Sequence, residues 1–314
     1  MTAQQNIKIK ADYKENKKLV AQKTASIVSK TGIYIFLIIM AFIVLVPFYW
    51  MLNVSFQSTE EVLNSTNMSL FPKEFSPQNY VSVFEYSSSQ TGGINFMGYL
   101  TNTLIVAVFS TILGTLFSIF VAFALARLNF KGREIIFTAL LATMMIPGEM
   151  MVISNFVTVS RLGWVNQDGV GSYLAMIVPF LVSIFHIYLL RQTFKQIPNE
   201  LYYAAKVDGC GDFKYLWSVM VPMAQSSIIT IVILKLMGTW NAYIWPNLVT
   251  NEKYKLVTTW LRSSFTDPNA GADGRTLFNL QMAATVTVTV PLLLLFVFFR
   301  KYIMSGVSRS GVKG

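Results

Sequence analysis

The stretch IPNELYYAAKVDGCGDFKYLWSVMVP, residues 197–222, is a long polar interruption between apolar runs, and the rest of the chain is organised around it. Tyr203 to Val207 is compatible with a helix, Gly209 and Gly211 interrupt that helix, and Asp212 is suited to cap a second one. Glycine just past a helix end adopts the left-handed conformation without Cβ strain. The pattern therefore predicts two short helices joined by a sharp elbow.

The composition restricts the class of protein before any motif is considered. Hydrophobic residues make up 54% of the 314 residues and charged residues only 13%, with a mean hydropathy of +0.51. Such a chain is too apolar for an ordinary soluble domain and is typical of a membrane protein that crosses the bilayer several times. The single cysteine, Cys210, excludes an internal disulfide, and one histidine makes a catalytic triad or a His/Glu metal site implausible.

Six apolar runs are long enough to span a bilayer, which requires about 20 residues for a helix. They lie at about residues 32–54, 99–125, 135–159, 173–190, 224–244 and 278–299. Another polar segment, residues 57–98, lies between the first and second runs and carries four glutamates and one lysine. A further polar loop, residues 246–275, follows the fifth run. The sequence thus predicts an all-α, polytopic membrane protein with six transmembrane helices.

The distribution of basic residues indicates the orientation. Eighteen of the 25 Lys and Arg residues lie in the two tails and in the loops on the same side, six lie on the other side, and Lys235 lies inside the fifth run. The positive-inside rule therefore places both termini and residues 197–222 in the cytoplasm. This predicts a cytoplasmic tail at residues 1–31, a membrane domain at 32–303 and a second tail at 304–314. The net charge of +10 is explained by this topology and by attraction to anionic membrane lipid, with no need of nucleic acid.

Polar residues within the apolar runs are candidates for a translocation pathway. Lys235 is the strongest, because an unpaired lysine at a helix centre costs about 2.5 to 3.5 kcal/mol on insertion scales. The alternative is that it snorkels or pairs with a glutamate such as Glu149, which follows the Pro147-Gly148 break. Trp240 can equally be an interfacial anchor. The full set of pathway candidates is Glu149, Met151, Asn155, Lys235, Trp240 and Asn241.

The segment 197–222 resembles the cytoplasmic loop of ABC importer permeases, whose pattern is E-A-A-x-x-D-G, nine residues, and then I-x-L-P. Here Tyr203-Ala204-Ala205 and Asp208-Gly209 are followed by nine residues and then Val219 to Pro222. Tyrosine replaces the family glutamate at 203, and Glu200, one turn earlier, is a possible substitute. The small side chains of Ala204 and Ala205 would allow a partner to approach the helix backbone closely. The resemblance implies that an ATPase is contacted by the following residues: Glu200, Tyr203, Ala204, Ala205, Asp208, Gly209 and Pro222.

Six further segments are similar to the carbohydrate-uptake branch of the same permeases. They are residues 126–134, 145–156, 162–167, 189–198 and 239–246, together with the tail 306–314, which is similar to that of maltose-type permeases. The resemblance implies an ABC type I importer fold and a permease subunit that moves a sugar or oligosaccharide. Permeases for glycerol phosphate-type polyols belong to the same family, and a secondary transporter is a further alternative, although no internal repeat of membrane segments supports it.

The chain lacks the phosphate-binding loop G-x-x-x-x-G-K-[ST], since Val312 follows Gly311 where that pattern requires lysine. We therefore expect no enzymatic activity and no cofactor in this chain, with ATP and Mg²⁺ used by a partner. The expected partners are an ABC ATPase dimer, a second related permease forming a heterodimer, an extracytoplasmic sugar-binding protein and membrane lipid. The expected location is the bacterial plasma membrane.

Overall fold

A computed structural model describes residues 3–64, 69–90, 96–263, 265 and 276–308, with the side chains of 3–28, 64, 86–90, 263 and 301–308 left out. Apart from an isolated bridge residue at Thr276, the regular structure in these ranges is helical throughout. The helices are α1 Ala3–Ser55, α2 Thr59–Asn64, α3 Asn79–Gln90, α4 Phe96–Arg127, α5 Arg133–Thr143, α6 Met151–Arg161, α7 Val170–Ile177, α8 Ile184–Gln196, α9 Asn199–Val207, α10 Asp212–Tyr215, α11 Val221–Met223, α12 Gln225–Trp240, α13 Ile244–Val249, α14 Val257–Ser263 and α15 Phe278–Ser308.

Three helices are individually long and apolar enough to cross a membrane. Their spanning parts are Ser29–Ser55 in α1, Phe96–Arg127 in α4 and Phe278–Arg300 in α15, with 27, 32 and 23 residues. Because α1 begins at Ala3, the backbone of the predicted tail 1–31 continues directly into the first span. The backbone of 304–308 likewise continues α15, whereas residues 309–314 of the predicted second tail lie outside the described residues.

Three bent pairs of helices are long and apolar enough to cross a membrane if each pair is taken together. Arg133–Thr143 and Gly148–Arg161 meet at 84°, Val170–Phe180 and Ile184–Gln196 at 52°, and Asp212–Met223 and Gln225–Trp240 at 82°. Proline accounts for the first two breaks, since Pro147 and Pro179 lack the N–H that a continuous helix requires. If each pair counts as one span, the total is six, in agreement with the sequence prediction. The third and fourth runs are thus broken rather than straight, and the fifth run is bent at its start, near Ala224.

Helix α4 is the central element. It packs against α8 and α12, and more lightly against α7 and α14. A strip of small and β-branched residues forms this contact, including Val106, Ala107 and Ala122, which are almost completely buried. The opposite strip, which includes Phe109 and Phe117, is exposed. An apolar helix with one covered face and one open face is expected for a span that meets lipid or another membrane chain on its free side.

The predicted loop at 246–275 is largely a packed structure. Helices α13 and α14 lie within it, and Val257 and Trp260 are completely buried in a cluster with Tyr99 and Trp240. Residues 264 and 266–275 of this loop, and 65–68 and 91–95 of the loop at 57–98, lie outside the described residues. A second cluster, around Leu190, Phe194, Tyr215 and Met220, lies at the opposite end of α4, where the polar segment 197–222 begins.

Candidate coupling elbow and membrane pathway

Helix α9 forms the first arm of the predicted elbow. It begins after Pro198, whose fixed backbone suits the position before a helix, and ends at Val207. The N–H of Cys210 donates to the carbonyl of Ala205 (2.8 Å) and the N–H of Gly209 to that of Lys206 (3.1 Å). These two bonds form a Schellman motif, which requires a left-handed residue after the helix. Gly209 has φ +73°, so the glycine is needed for its backbone conformation.

The second arm begins differently from the sequence prediction. Gly211 occupies the N-cap position, and Asp212, predicted to be the cap, is the first residue of α10. The Asp212 carboxylate instead accepts a hydrogen bond from the Tyr202 hydroxyl (2.7 Å) and forms an ion pair with Lys206 Nζ (2.8 Å). The bond from Lys206 Nζ to the Asp212 carboxylate raises the pKa of Lys206 above its ordinary value. Asp212 therefore ties the two arms together, because both of its partners belong to α9.

One face of α9 is left open. Glu200, Tyr203, Ala204 and Val207 are exposed, with Tyr203 at 64% and Val207 at 88% of their maximal accessible surface. Their spacing of i, i+3, i+4 and i+7 places them on one strip of the helix. We call these four residues the α9 stripe. An exposed strip with an aromatic ring, two small or branched apolar side chains and one carboxylate suits a protein contact.

The other residues predicted to contact an ATPase have different positions. Ala205, predicted to share the open face with Ala204, is half-buried and packs against the protein's own core with Tyr202. Asp208 is exposed at the C-terminal end of α9. Pro222 is exposed in α11, at the far end of the second arm. The structure thus gathers most of the predicted residues on the accessible side of the elbow but turns Ala205 inward.

Arg127 was considered at the sequence level only as one of the basic residues that indicate orientation. It is the last residue of α4 and only 8% exposed. Its guanidinium donates to the carbonyls of Phe194 (2.7 Å) and Ile197 and to the Asn199 side chain. These acceptors are the end of α8 and the start of α9, so Arg127 fixes the entry to the elbow against α4.

Arg191 makes the reciprocal connection from α8 to α4. Its Nε donates to the Leu125 carbonyl (3.1 Å), and its Nη2 lies 2.7 Å from both carboxylate oxygens of Glu134. The guanidinium also stacks over the Phe137 ring at 3.7 Å, an arrangement that suits the planar arginine fork better than lysine. We call Arg127 and Arg191, with their acceptors, the arginine clasp. A basic residue directly after an apolar run was the only signal in the sequence, and it did not identify the acceptors.

Lys235 is buried within α12, with 8% exposure. Its Nζ donates to the carbonyls of Phe180 (3.3 Å) and Leu181 (3.2 Å), which are left without helical partners at the break between α7 and α8. It does not pair with Glu149, the alternative considered from the sequence, and Glu149 is exposed. An added Cβ on Gly114 would lie 2.0 Å from Lys235 Nζ, so glycine at 114 provides the room for this contact.

The remaining pathway candidates differ in exposure. Met151 is exposed and Asn155 half-buried, one turn apart on α6 after the 84° break. Trp240 is 5% exposed and belongs to the cluster at the N-terminal end of α4. Asn241 is exposed and its side chain donates to the carbonyl of Met237 (2.9 Å), which closes α12. Lys235 and Trp240 are thus packed inside this chain, whereas Met151 and Asn241 remain accessible.

Comparison with a family model, with three relatives and with a solved structure gives consistent findings. A family model described as the binding-protein-dependent transport system inner membrane component matches residues 114–309, which include the elbow and Lys235. An arabinooligosaccharide transport system permease protein, AraQ of Bacillus subtilis, is 29% identical over 91% of this chain and 97% of its own length. A trehalose/maltose transport system permease protein, MalG of Thermococcus litoralis, is 30% identical over 88% and 94%.

A diacetylchitobiose uptake system permease protein, NgcG of Streptomyces coelicolor, is also 30% identical over 87% of this chain and 85% of its own length. Among solved structures, a bacterial ABC transporter involved in the import of the acidic polysaccharide alginate is similar in fold. It superposes with a TM-score of 0.72 at 23% identity, covering 85% of this chain and 94% of that one.

Proposed function

Because this chain belongs to the family of binding-protein-dependent transport system inner membrane components, we propose that it is the membrane-spanning permease subunit of an ATP-driven importer for a sugar or oligosaccharide. The three relatives described above are named for arabinooligosaccharides, trehalose/maltose and diacetylchitobiose. These names favour a saccharide over a glycerol phosphate-type polyol as the cargo.

The α9 stripe carries this proposal. Glu200, Tyr203, Ala204 and Val207 form an exposed face on a helix that is fixed at one end by Arg127 and at the other by the left-handed Gly209. A helix inserted into the cleft of a partner must keep its direction when force is applied to it, and both of its ends are held here. Tyr203 supplies contact area to an ATPase by packing, and Glu200 supplies the negative charge that the family pattern has at position 203.

The proposal assigns ATP hydrolysis to another chain. The phosphate-binding loop is absent from the sequence, so ATP and Mg²⁺ are bound by the partner ATPase and this chain acts as a transport subunit rather than an enzyme. Two ATPase subunits present two clefts, while one chain of this protein presents a single elbow. A second related permease supplies the other elbow, and the complex is a heteromer.

In the proposed orientation both termini and residues 197–222 face the cytoplasm, as the distribution of basic residues indicates. A sugar-binding protein then docks outside the plasma membrane on the segments around α2, α3, α13 and α14. We place the accessible pathway candidates, Met151 and Asn241 together with Glu149 and Asn155, towards the second permease. Lys235 and Trp240 support the pathway from within this chain.

Purification through this chain followed by native mass spectrometry tests the assembly. We expect one copy of this chain, one copy of a different permease and two copies of an ATPase. Two copies of this chain without another permease would contradict the heteromer, and recovery without any ATPase would contradict the importer.

The cargo needs a second measurement. The binding protein recovered with the complex is screened by thermal shift against neutral oligosaccharides and glycerol phosphodiesters. Stabilisation by a saccharide supports the proposed cargo, and stabilisation only by a phosphodiester would refute it.

A further inference from the structure

Helix α4 is connected by buried polar contacts at both of its ends. Asn102 lies near its outer end and Arg127 at its cytoplasmic end, and 25 residues at 1.5 Å per residue separate them by about 38 Å. The helix contains no proline, the residue that most often bends a helix. It therefore extends as one continuous element from the outer loop region to the elbow.

At the outer end, α4 holds the segment that precedes α14. The Asn102 amide donates to the carbonyls of Lys253 (2.9 Å) and Lys255 (3.3 Å), and its oxygen accepts from the Tyr173 hydroxyl (2.7 Å). One residue on, the Thr103 hydroxyl accepts from the N–H of Val257 (2.9 Å). Asn102 is 6% exposed and Thr103 completely buried. Residues 253–257 therefore cannot move relative to α4 without breaking bonds that water does not replace.

At the cytoplasmic end, the arginine clasp holds the start of the elbow to α4. The Arg127 guanidinium donates hydrogen bonds to three oxygen atoms, the carbonyls of Phe194 and Ile197 and the side-chain oxygen of Asn199. Arg191 binds the Leu125 carbonyl from the opposite side. A displacement of α9 must therefore either break several charge-assisted hydrogen bonds or move α4 with it.

The middle of α4 resists sliding against its neighbours. The small residues on its buried strip allow close approach of α8 and α12, and Gly114 admits Lys235 Nζ and the Leu181 carbonyl to within 2.0 and 2.9 Å of the position that a Cβ would occupy. Close-packed contacts of this kind move as discrete units rather than deforming continuously.

We propose that α4 is the rigid strut that transmits the docking of the external binding protein to the ATPase, with Asn102 and Arg127 as positioning residues at its two ends. This inference rests on the proposed importer function. The binding protein acts on the region of residues 253–257, and the ATPase acts on the α9 stripe. Neither Asn102 nor Arg127 touches the cargo or ATP; each holds a docking segment to the same helix.

The test measures stimulation of ATP hydrolysis in the complex reconstituted in lipid nanodiscs with the ATPase and binding protein that co-purify with this chain. Basal hydrolysis and hydrolysis at increasing concentrations of cargo-loaded binding protein are recorded for Asn102→Leu and Arg127→Met. We expect maximal stimulation to fall at least about fivefold, the lower end of typical coupling between sites. The basal rate should stay unchanged in Asn102→Leu, and the half-saturating concentration of binding protein should stay unchanged in Arg127→Met.

A double variant distinguishes one strut from two independent local effects. If a single helix carries the signal, Asn102→Leu and Arg127→Met together reduce stimulation no further than the stronger single change, because the connection is already broken. Losses that multiply would overturn the inference. Arg127→Lys keeps the charge without the planar fork and should recover part of the stimulation.

Two matched variants serve as controls. Thr101→Val removes an exposed hydroxyl beside Asn102 that donates to the Met97 carbonyl of its own helix. Lys131→Met removes an exposed cation in the turn that follows α4. Both should retain full stimulation. Thr103→Val and Asn199→Leu replace the principal variants if those fail to insert, since each removes one side-chain partner at the same end of α4.

The outcomes separate the strut from the importer. A purely local role would raise the half-saturating concentration in Asn102→Leu and lower basal hydrolysis in Arg127→Met, and either result in place of the expected loss would overturn the strut. Full stimulation in both variants would overturn it as well. A wild-type complex whose ATPase never responds to the binding protein would instead refute the proposed function.

Discussion

Replacing Gly209 by valine tests whether the left-handed turn at the elbow is required. An L-residue in this conformation costs about 1 to 2 kcal/mol, and a β-branched side chain is among the least tolerated there. An added Cβ would meet nothing within 4 Å at this position, so the cost comes from the backbone conformation alone. Since 1.4 kcal/mol corresponds to a factor of ten, the elbow conformation with a left-handed residue 209 should become about 5- to 30-fold less populated relative to other conformations of this turn.

Gly211 is a matched control two residues away. It also has nothing within 4 Å of an added Cβ, but its φ of −69° and ψ of 157° are ordinary for any residue. Gly211→Val therefore changes the same atoms without the strain. Gly209→Asn is a second comparison, because asparagine tolerates the left-handed region better than other residues with a Cβ.

The assay is ATP-dependent uptake in cells that contain equal amounts of inserted protein, with ATPase recovery measured in parallel. We expect activity to decrease from Gly209 through Gly209→Asn to Gly209→Val, with Gly211→Val close to wild type. Maleimide labelling of Cys210, the single cysteine of the chain, reports whether the ATPase still covers the elbow, and labelling should rise in Gly209→Val. Normal uptake in Gly209→Val, or equal damage from Gly211→Val, would refute the reasoning.

Tyr203→Phe should retain ATPase recovery while Tyr203→Asp loses it, because the exposed ring is expected to act by packing; equal recovery for both would remove position 203 from the interface. The bond between Lys206 and Asp212 raises the pKa of Lys206 and lowers the pKa of Asp212. The pair therefore stabilises the elbow fully between the unfolded pKa values of about 3.9 for Asp and about 10.4 for Lys, and it is lost as pH falls through the folded pKa of Asp212 or rises through the folded pKa of Lys206. Protease protection of the elbow should therefore be constant between about pH 6 and 9, within that window, and a decline there would contradict the assignment. Gly114→Ala should lower the free energy of unfolding in detergent by about 1 to 3 kcal/mol, because the methyl group collides with a buried lysine and a carbonyl. Gly238→Ala, where space is open, should not, and equal melting temperatures for the two would exclude this steric account.

Several features of the elbow could be predicted from the sequence because they depend on neighbouring residues. Gly209 lies two positions after the end of the helix-compatible stretch, and the Schellman bonds join residues only three and five positions apart. Asp212 shows the limit of such reasoning. As a potential N-cap it was suited to bind the backbone of its own helix, but its carboxylate is used by Tyr202 and Lys206 of the preceding helix. Ala205 faces inward for a similar reason, since the packing of α9 on the core decides which of two adjacent alanines stays open.

The partners of the buried charges could not be predicted from the sequence. Arg127 binds carbonyls about 70 positions away in the chain, and Lys235 binds carbonyls 54 and 55 positions away. A carbonyl oxygen is present at every residue, so the sequence carries no mark of which ones are left free at a helix end. Glu149 was a reasonable partner for Lys235 by charge, yet the break near Pro179 supplies two acceptors closer to it.

The sequence by itself determined the class of this protein, its six apolar runs and the position of its elbow. These features depend on short stretches of sequence. The bilayer thickness sets the length of an apolar run, and glycine is preferred at a left-handed turn because it alone among the amino acids lacks a Cβ atom. Only the tertiary structure decided the angles at the three bent helix pairs, which face of α9 stays open, and that Asn102 and Arg127 hold loops at opposite ends of one helix. Those features depend on long-range packing, where each buried polar group must find a partner wherever the fold brings one within reach.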